Sequence, residues 1–93
     1  MLYMLVERFK PGAATEIYRG LRTSGRRLPD GLEYVASWVD LEITTCWQLM
    51  KTEDRALLDA WCDAGRALVD FEIIPVQTSA EAQALMAARD RTP

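Results

Sequence analysis

The spacing of apolar residues switches several times along the chain between a strand-like period of two and a helix-like period near 3.6. Turn residues separate these segments, as at Lys10-Pro11-Gly12 and Pro29-Asp30-Gly31. The predicted strands are residues 2–9, two strands of a hairpin across 32–50, and 69–77; the predicted helices are about 14–28, 53–67 and 78–89. The resulting order is β-α-β-β-α-β followed by a C-terminal helix.

This order of elements predicts an α+β fold of the ferredoxin-like type. Its four strands would form an antiparallel sheet in the order 4-1-3-2, with both crossover helices on one face and the other face bare. The chain has 93 residues, which suits one domain over 1–93, with about 78–93 as a helical extension. In the first helix, Arg19, Arg22 and Arg26 share one face, which we interpret as solvated rather than as a binding patch.

The hairpin over residues 32–50, LEYVASWVDLEITTCWQLM, is apolar on both faces of its strands. A small sheet in water does not leave such a second face exposed, so this face requires a cover. A second copy of the chain is one cover, which makes a homodimer through the open sheet face the expected assembly. The C-terminal helix is the alternative cover, although its apolar stripe is thin.

Face assignment along the strands predicts which side chains line the space between two copies. In the fourth strand, Val69, Phe71 and Ile73 form a uniformly apolar set that suits the helices. In the hairpin the residues on both faces of each strand are apolar, so the pattern does not decide which face Trp47 takes. With Trp47 under the helices, the predicted open face comprises Tyr3, Leu5, Glu7, Tyr34, Trp38, Cys46, Gln48, Met50, Glu72 and Ile74.

Charge and apolar content argue against two kinds of partner. Eleven basic and fourteen acidic side chains give a net charge of -3, and the isoelectric point is near 4.8, so nucleic acid is not an expected partner. No apolar run approaches the roughly 18 residues of a membrane span, and no signal-peptide pattern follows Met1. We therefore expect a cytoplasmic protein with no membrane partner and with reduced Cys46 and Cys62.

The sequence contains no histidine, which removes the commonest metal ligand and the side chain that ionises nearest neutral pH. Histidine-dependent catalytic triads are excluded for that reason. The five glycines never form the GxGxxG or GxxxxGK[ST] patterns of nucleotide-binding loops. We expect no metal site and no cofactor.

Two carboxylates are the candidate catalytic residues. If odd positions of the first strand and even positions of the fourth face the same side, Glu7 lies opposite Asp70 or Glu72. Burial and mutual repulsion would raise their pKa values, so that Glu7 and Glu72 could donate or accept a proton near neutral pH. The alternative interpretation places both at a solvated rim, paired with a cation such as Arg8.

The candidate ligand-binding residues are Tyr3, Tyr34, Trp38, Cys46 and Gln48. Tyr34 and Trp38 would hold an apolar substrate, although such residues are more often dimer core than a substrate platform. Cys46 has no visible cationic neighbour to stabilise a thiolate, which favours a small buried side chain over a nucleophile. Gln48 is the least expected residue in a core strand, because a buried amide needs hydrogen-bond partners.

Four segments, MLYMLVERFKPG, LEYVASWV, CWQLM and LVDFEIIPV, together resemble a family of short uncharacterised bacterial proteins. That family is a domain of unknown function in the dimeric α/β-barrel superfamily, and the resemblance covers about residues 1–79. It implies a ferredoxin-like fold and dimerisation, and it names no reaction.

Two hypotheses for the function follow. The favoured one is a dimer that binds a small molecule or serves a structural role, since a fold alone does not imply activity. The alternative is a cofactor-free enzyme, monooxygenase-like or isomerase-like, that acts on a small organic substrate enclosed between the two sheets.

Overall fold

The computed structural model describes residues 1–91 and contains the helices and strands in the expected order. The elements are β1 (Leu2–Phe9), α1 (Ala14–Ser24), β2 (Leu32–Val39), β3 (Thr45–Thr52), α2 (Arg55–Gly65), β4 (Val69–Val76) and α3 (Ser79–Asp90). α1 ends at Ser24 rather than near residue 28, because Gly25 takes a positive φ of 63° that stops the helix. The predicted capping box of Thr78 and Glu81 opens α3.

The four strands form one antiparallel sheet in the order β2-β3-β1-β4, which is the predicted order read from the opposite edge. The α+β class and the strand order are therefore confirmed. β1 lies inside the sheet between β3 and β4, so its side chains have strand neighbours on both sides.

One face of the sheet packs against α2, and the strand register shows which residues share that face. Leu5 pairs with Gln48 of β3 and with Ile73 of β4. The buried cluster on this face comprises Tyr3, Leu5, Leu32, Met50, Leu58 and Cys62. The side of β4 predicted to meet the helices is confirmed, because Phe71 and Ile73 pack against this cluster.

The predicted faces of β1 and β3 are wrong. The side chains that lie on the helix side, although they were expected on the open face, are Tyr3, Leu5, Glu7, Tyr34, Cys46, Gln48 and Met50. In both strands each alternation is largely apolar, so the pattern alone cannot select the buried one. Trp47 and Leu49 consequently lie on the open face, beside Val6 and Met4 of β1.

The open face carries large exposed apolar side chains. Trp38 pairs with Trp47, and these residues are 57% and 40% exposed. Glu72 and Ile74 of β4 also lie on this face, as predicted, because they pair with Val6 and Met4. The open face is therefore apolar at its centre.

A β-bulge in β2 lies between Tyr34 and Ala36. The bulge breaks the strict alternation, so Tyr34 and Ser37 share the helix side, where their hydroxyl groups form a hydrogen bond of 2.7 Å. The predicted face is for this reason right for Trp38 and wrong for Tyr34.

The C-terminal helix α3 leaves the open face uncovered. None of its residues, Ser79–Asp90, is buried. The radius of gyration is 15.9 Å and the longest dimension is 55 Å, whereas a compact domain of this length has a radius of gyration of roughly 12 Å. α3 therefore projects from the sheet rather than folding across it. No helix within residues 1–91 is long and apolar enough to cross a membrane.

Candidate functional site

The two crossover helices pack very differently. α2 buries Leu58 and Cys62, whereas none of residues Ala14–Ser24 of α1 is buried. A cavity of about 620 Å³ lies between α1, the end of α2 and the sheet. Ile17 and Leu21, which form the apolar side of α1, line this cavity instead of filling it. The space exists because α1 stands away from the sheet.

Glu7 forms part of the sheet wall of this cavity. It pairs with Cys46 of β3 and Phe71 of β4, and the residue is 8% exposed. Its Oε2 atom is buried and has no hydrogen-bond partner within residues 1–91. Burial raises the pKa of Glu7 from 4.5 to about 7, and the positive charge of Arg26 opposes part of this shift. The carboxyl group therefore changes its protonation state near neutral pH.

Arg26 is held at the cavity wall by three contacts. Its carbonyl oxygen accepts a hydrogen bond of 2.7 Å from Trp61 Nε1, and its Nε donates to Gln48 Oε1 at 3.3 Å. Its guanidinium group lies 3.7 Å from the centre of the Tyr34 ring, a cation–π contact. Arg26 forms no ion pair among the described residues, so its positive charge is not neutralised there.

Gln48 is buried, and both ends of its amide have partners. Its Oε1 accepts from Arg26, and its Nε2 donates to the Met50 sulfur at 3.2 Å. The amide thus helps to orient the guanidinium group of Arg26. Burial, together with the charge of Glu7, raises the pKa of Cys46 to about 11, so this thiol is protonated at neutral pH. This protonation state favours the interpretation of Cys46 as a small buried side chain.

The structure brings together only part of the predicted site. Glu7, Cys46 and Gln48 line the cavity, and Tyr34 lies beside it under Arg26. Tyr3 lies in the buried cluster instead.

Two predicted site residues lie on the opposite face of the sheet, Trp38 and Glu72. Glu72 accepts hydrogen bonds of 3.3 Å from the guanidinium group of Arg8, which is the surface pairing of the alternative interpretation. The prediction that Glu7 lies opposite a carboxylate of β4 is wrong, because Glu7 pairs with Phe71. The pKa of Glu7 is therefore raised by burial and not by a second carboxylate.

Arg26, Tyr18 and Trp61 line the cavity and are missing from the predicted site. The sequence pattern placed Arg26 on the solvated face of the first helix, but Gly25 ends the helix before this residue. A signal was present, since a glycine after a helical segment is typical of a helix C-terminus. No signal indicated that α1 would stand away from the sheet.

Comparison with known proteins identifies one family. The chain belongs to the family described as Domain of unknown function (DUF3303), whose model matches residues 1–90. No curated protein and no solved structure matches the chain. Within residues 1–91 there is no cluster of three or more histidine, cysteine, aspartate or glutamate side chains suited to a metal ion.

Proposed function

We propose that this member of the DUF3303 family binds a small organic molecule in the cavity between α1 and the sheet. The observation that carries the proposal is the buried Oε2 atom of Glu7, which has no hydrogen-bond partner within residues 1–91, on a residue that lines the cavity. An unpaired buried polar group costs about 1–3 kcal/mol. A small rotation of the Glu7 side chain would bring Oε2 to the cavity, where a ligand that hydrogen-bonds to it would recover that free energy on binding.

The walls of the cavity suit an apolar or aromatic ligand. Phe9 and Tyr18 meet edge to face with ring centres 6.3 Å apart, and Trp61 and Phe71 do so at 6.2 Å. The volume of about 620 Å³ falls within the roughly 300–1,000 Å³ that is usual for small-molecule sites. The proposed ligand lies on the helix side of the sheet, and not between two sheets as expected from the sequence.

The three tryptophans allow a direct test of this location. Trp61 lines the cavity, whereas Trp38 and Trp47 lie on the open face. In nitrogen-15 NMR spectra of the full chain titrated with a set of one- to three-ring aromatic fragments, we expect binders to shift the Trp61 indole signal and leave the other two in place. Fragments that shift only the Trp38 and Trp47 signals, or none of the three, would contradict the proposal.

A matched pair of substitutions at Gly20 tests occupancy of the cavity. Gly20 lines the cavity, and a Cβ atom added there meets no atom within 4 Å. Gly20→Leu is expected to occupy part of the space and weaken fragment binding by roughly tenfold or more, which corresponds to about 1.4 kcal/mol. Gly20→Ala adds one methyl group and is expected to bind normally. Equal binding by both variants would place the ligand elsewhere.

We further propose that the open face of the sheet is the interface of a homodimer, in the dimeric α/β-barrel arrangement expected from the sequence. The apolar side chains on this face are Met4, Val6, Trp38, Trp47, Leu49 and Ile74. A contiguous apolar patch of this kind is rarely left in water by a monomer. Charged residues such as Arg8 and Glu72 lie toward one end of the face, where an interface usually has its polar rim.

Sedimentation or light scattering at micromolar concentration tests the dimer. We expect twice the chain mass of 10.5 kDa for the wild-type protein. Trp47→Lys puts a charge into the interface and is expected to yield the monomer mass. Leu41→Lys makes the same kind of change in the fully exposed turn between β2 and β3 and is expected to remain dimeric. A wild-type monomer would refute the proposed interface.

A second candidate function is a cofactor-free enzyme in which Glu7 moves a proton. The supporting observation is the pKa of Glu7, raised by burial to about 7, since a general acid or base works best when its pKa is near the ambient pH. An isomerase-like reaction would remove a proton from an acidic C–H bond of the ligand and return it to another position. For a bound ligand with such a bond, we expect deuterium exchange in D₂O by NMR, and its loss in Glu7→Gln.

A further inference from the structure

We propose, on the basis of the proposed function, that the cavity selects an aromatic organic anion, whose negative group binds Arg26 while Glu7 takes up a proton. The proposed function requires neither a charged ligand nor the uptake of a proton on binding.

The contacts of Arg26 leave part of its guanidinium group available to a ligand. Its Nε is used by Gln48, and one face of the group lies against Tyr34. Its terminal nitrogens donate no hydrogen bond within residues 1–91, and the backbone is fixed by Trp61. A planar guanidinium group with free N–H donors matches a carboxylate or a phenolate oxygen. The contacts that hold Arg26 thus preorganise it without neutralising it.

The charge on Glu7 decides whether an anion is accepted. The charges of ionised Glu7 and Arg26 sum to zero, which suits a neutral ligand. When Glu7 is protonated, the single positive charge of Arg26 remains. The pKa of Glu7, raised by burial to about 7, keeps both forms populated at neutral pH. An anion that enters the cavity repels ionised Glu7 and therefore favours the protonated form. The protonated carboxyl group can also donate a hydrogen bond to the ligand.

The other titratable groups around Glu7 do not supply a competing charge at neutral pH. Tyr18 on α1 and Cys46 on β3 have pKa values raised first by burial, and burial raises the pKa of Cys62 on α2 to about 12. β4 presents Phe71, which does not titrate. Arg26, in the segment after α1, is the charge that acts on Glu7.

Two further charged residues line the cavity, Glu16 and Arg27. Both are more exposed to solvent than Glu7, they carry opposite charges, and Arg27 donates a hydrogen bond to Ser24. Their charges cancel in the total for the cavity. The selection therefore depends on Arg26 and Glu7.

The decisive experiment compares two probes that differ in charge and little in shape, 2-naphthoate and 2-naphthamide. We expect calorimetry at pH 7 to show the anion binding at least about tenfold more tightly than the amide. Titrations in phosphate and in Tris, which have different ionisation enthalpies, report proton uptake. With a pKa of about 7 we expect uptake of about half a proton at pH 7 and about nine-tenths at pH 8, with weaker anion binding at the higher pH.

Three variants test the role of Arg26 in binding the anion and the role of Glu7 in taking up the proton. Arg26→Gln is expected to remove the preference for the anion, while Arg22→Gln makes the same change at an exposed position of α1 and is expected to keep it. Glu7→Gln is expected to bind the anion with no proton uptake and no fall in affinity between pH 7 and 8. The Trp61 indole signal shows in each variant that the cavity is intact.

The outcomes separate this inference from the proposed function. If the amide binds as tightly as the anion and shifts Trp61, or if the wild-type protein takes up no proton, the charge selection is overturned and small-molecule binding stands. If neither probe shifts Trp61, both are overturned. The comparison of the two probes uses the wild-type protein, so it does not depend on the folding of any variant.

Discussion

The two faces of the sheet depart from ordinary burial in opposite directions. The helix side buries polar groups, Glu7 and Gln48, in the central strands β1 and β3. The open side exposes large apolar groups, Trp38 and Trp47. We propose a ligand site for the buried carboxyl group beside the cavity and a partner surface for the exposed apolar patch.

The two crossover helices differ in how closely they pack on the sheet. α2 buries Leu58 against the sheet, which makes its half of the covered face a packed core. α1 buries none of its residues Ala14–Ser24, which makes its half the wall of a cavity. The covered face therefore combines a stabilising half and a half suited to binding, and substitutions in the two halves should have different effects.

Truncation in the two helices gives the largest expected contrast. Leu58 is fully buried, so Leu58→Ala should lower the free energy of unfolding by about 2–5 kcal/mol. Ile17→Ala on α1 removes a side chain that lines the cavity and should cost about 1 kcal/mol or less, because Ile17 is not buried. Urea denaturation measures both. Similar losses would mean that α1 packs as tightly as α2.

The pH dependence of stability should differ between a carboxylate on the helix side, Glu7, and one on the open face, Glu72. Because the pKa of Glu7 is raised in the folded state, its protonated form stabilises the fold fully below pH 4.5, and this contribution is lost as pH rises to about 7. Glu7→Gln should therefore become more stable than the wild-type protein as pH increases, by about 3 kcal/mol at pH 8.

Glu72→Gln is the matched control on the open face. Its ion pair with Arg8 is exposed, so the substitution should change the free energy of unfolding by less than about 1 kcal/mol at any pH. Thermal unfolding of both variants between pH 4 and 8 gives the comparison. If the stability of Glu7→Gln followed the same pH dependence as that of the wild-type protein, the pKa of Glu7 would not be raised in the folded state.

The smallest contrast comes from two helical glycines. A Cβ atom at Gly20 of α1 meets open space, so Gly20→Ala should stabilise the protein by about 0.5–1 kcal/mol. At Gly65 of α2 the added Cβ would lie 3.2 Å from Phe71 Cζ, which should reduce or reverse that gain. Melting temperatures of the two alanine variants test this difference. An equal gain at both positions would argue against close packing of α2 on β4.

Prediction from the sequence succeeded where local chemistry determines the outcome. The strand and helix segments follow from their apolar periods, and Gly12, Gly31 and the Thr78 capping box mark where elements begin and end. The side of β4 was predictable because Asp70 and Glu72 contrast with the apolar residues between them. In β1 and β3 that contrast is absent, so Glu7, Cys46 and Gln48 were grouped with Trp38 and Glu72, which lie on the opposite face. Arg26 was missed for a different reason, because Gly25 ends α1 before it.

The sequence by itself determined the α+β order, the four-stranded antiparallel arrangement and the apolar character of both faces of the hairpin. These properties depend on residue period and on turn chemistry, which are local. Only the tertiary structure decided that Glu7 and Gln48 face the helices, because both faces of the central strands are apolar enough to be buried. It also decided that α1 stands away from the sheet, since helix packing depends on contacts between segments far apart in the chain. The cavity with Glu7 and Arg26 in its walls is a product of those two tertiary choices.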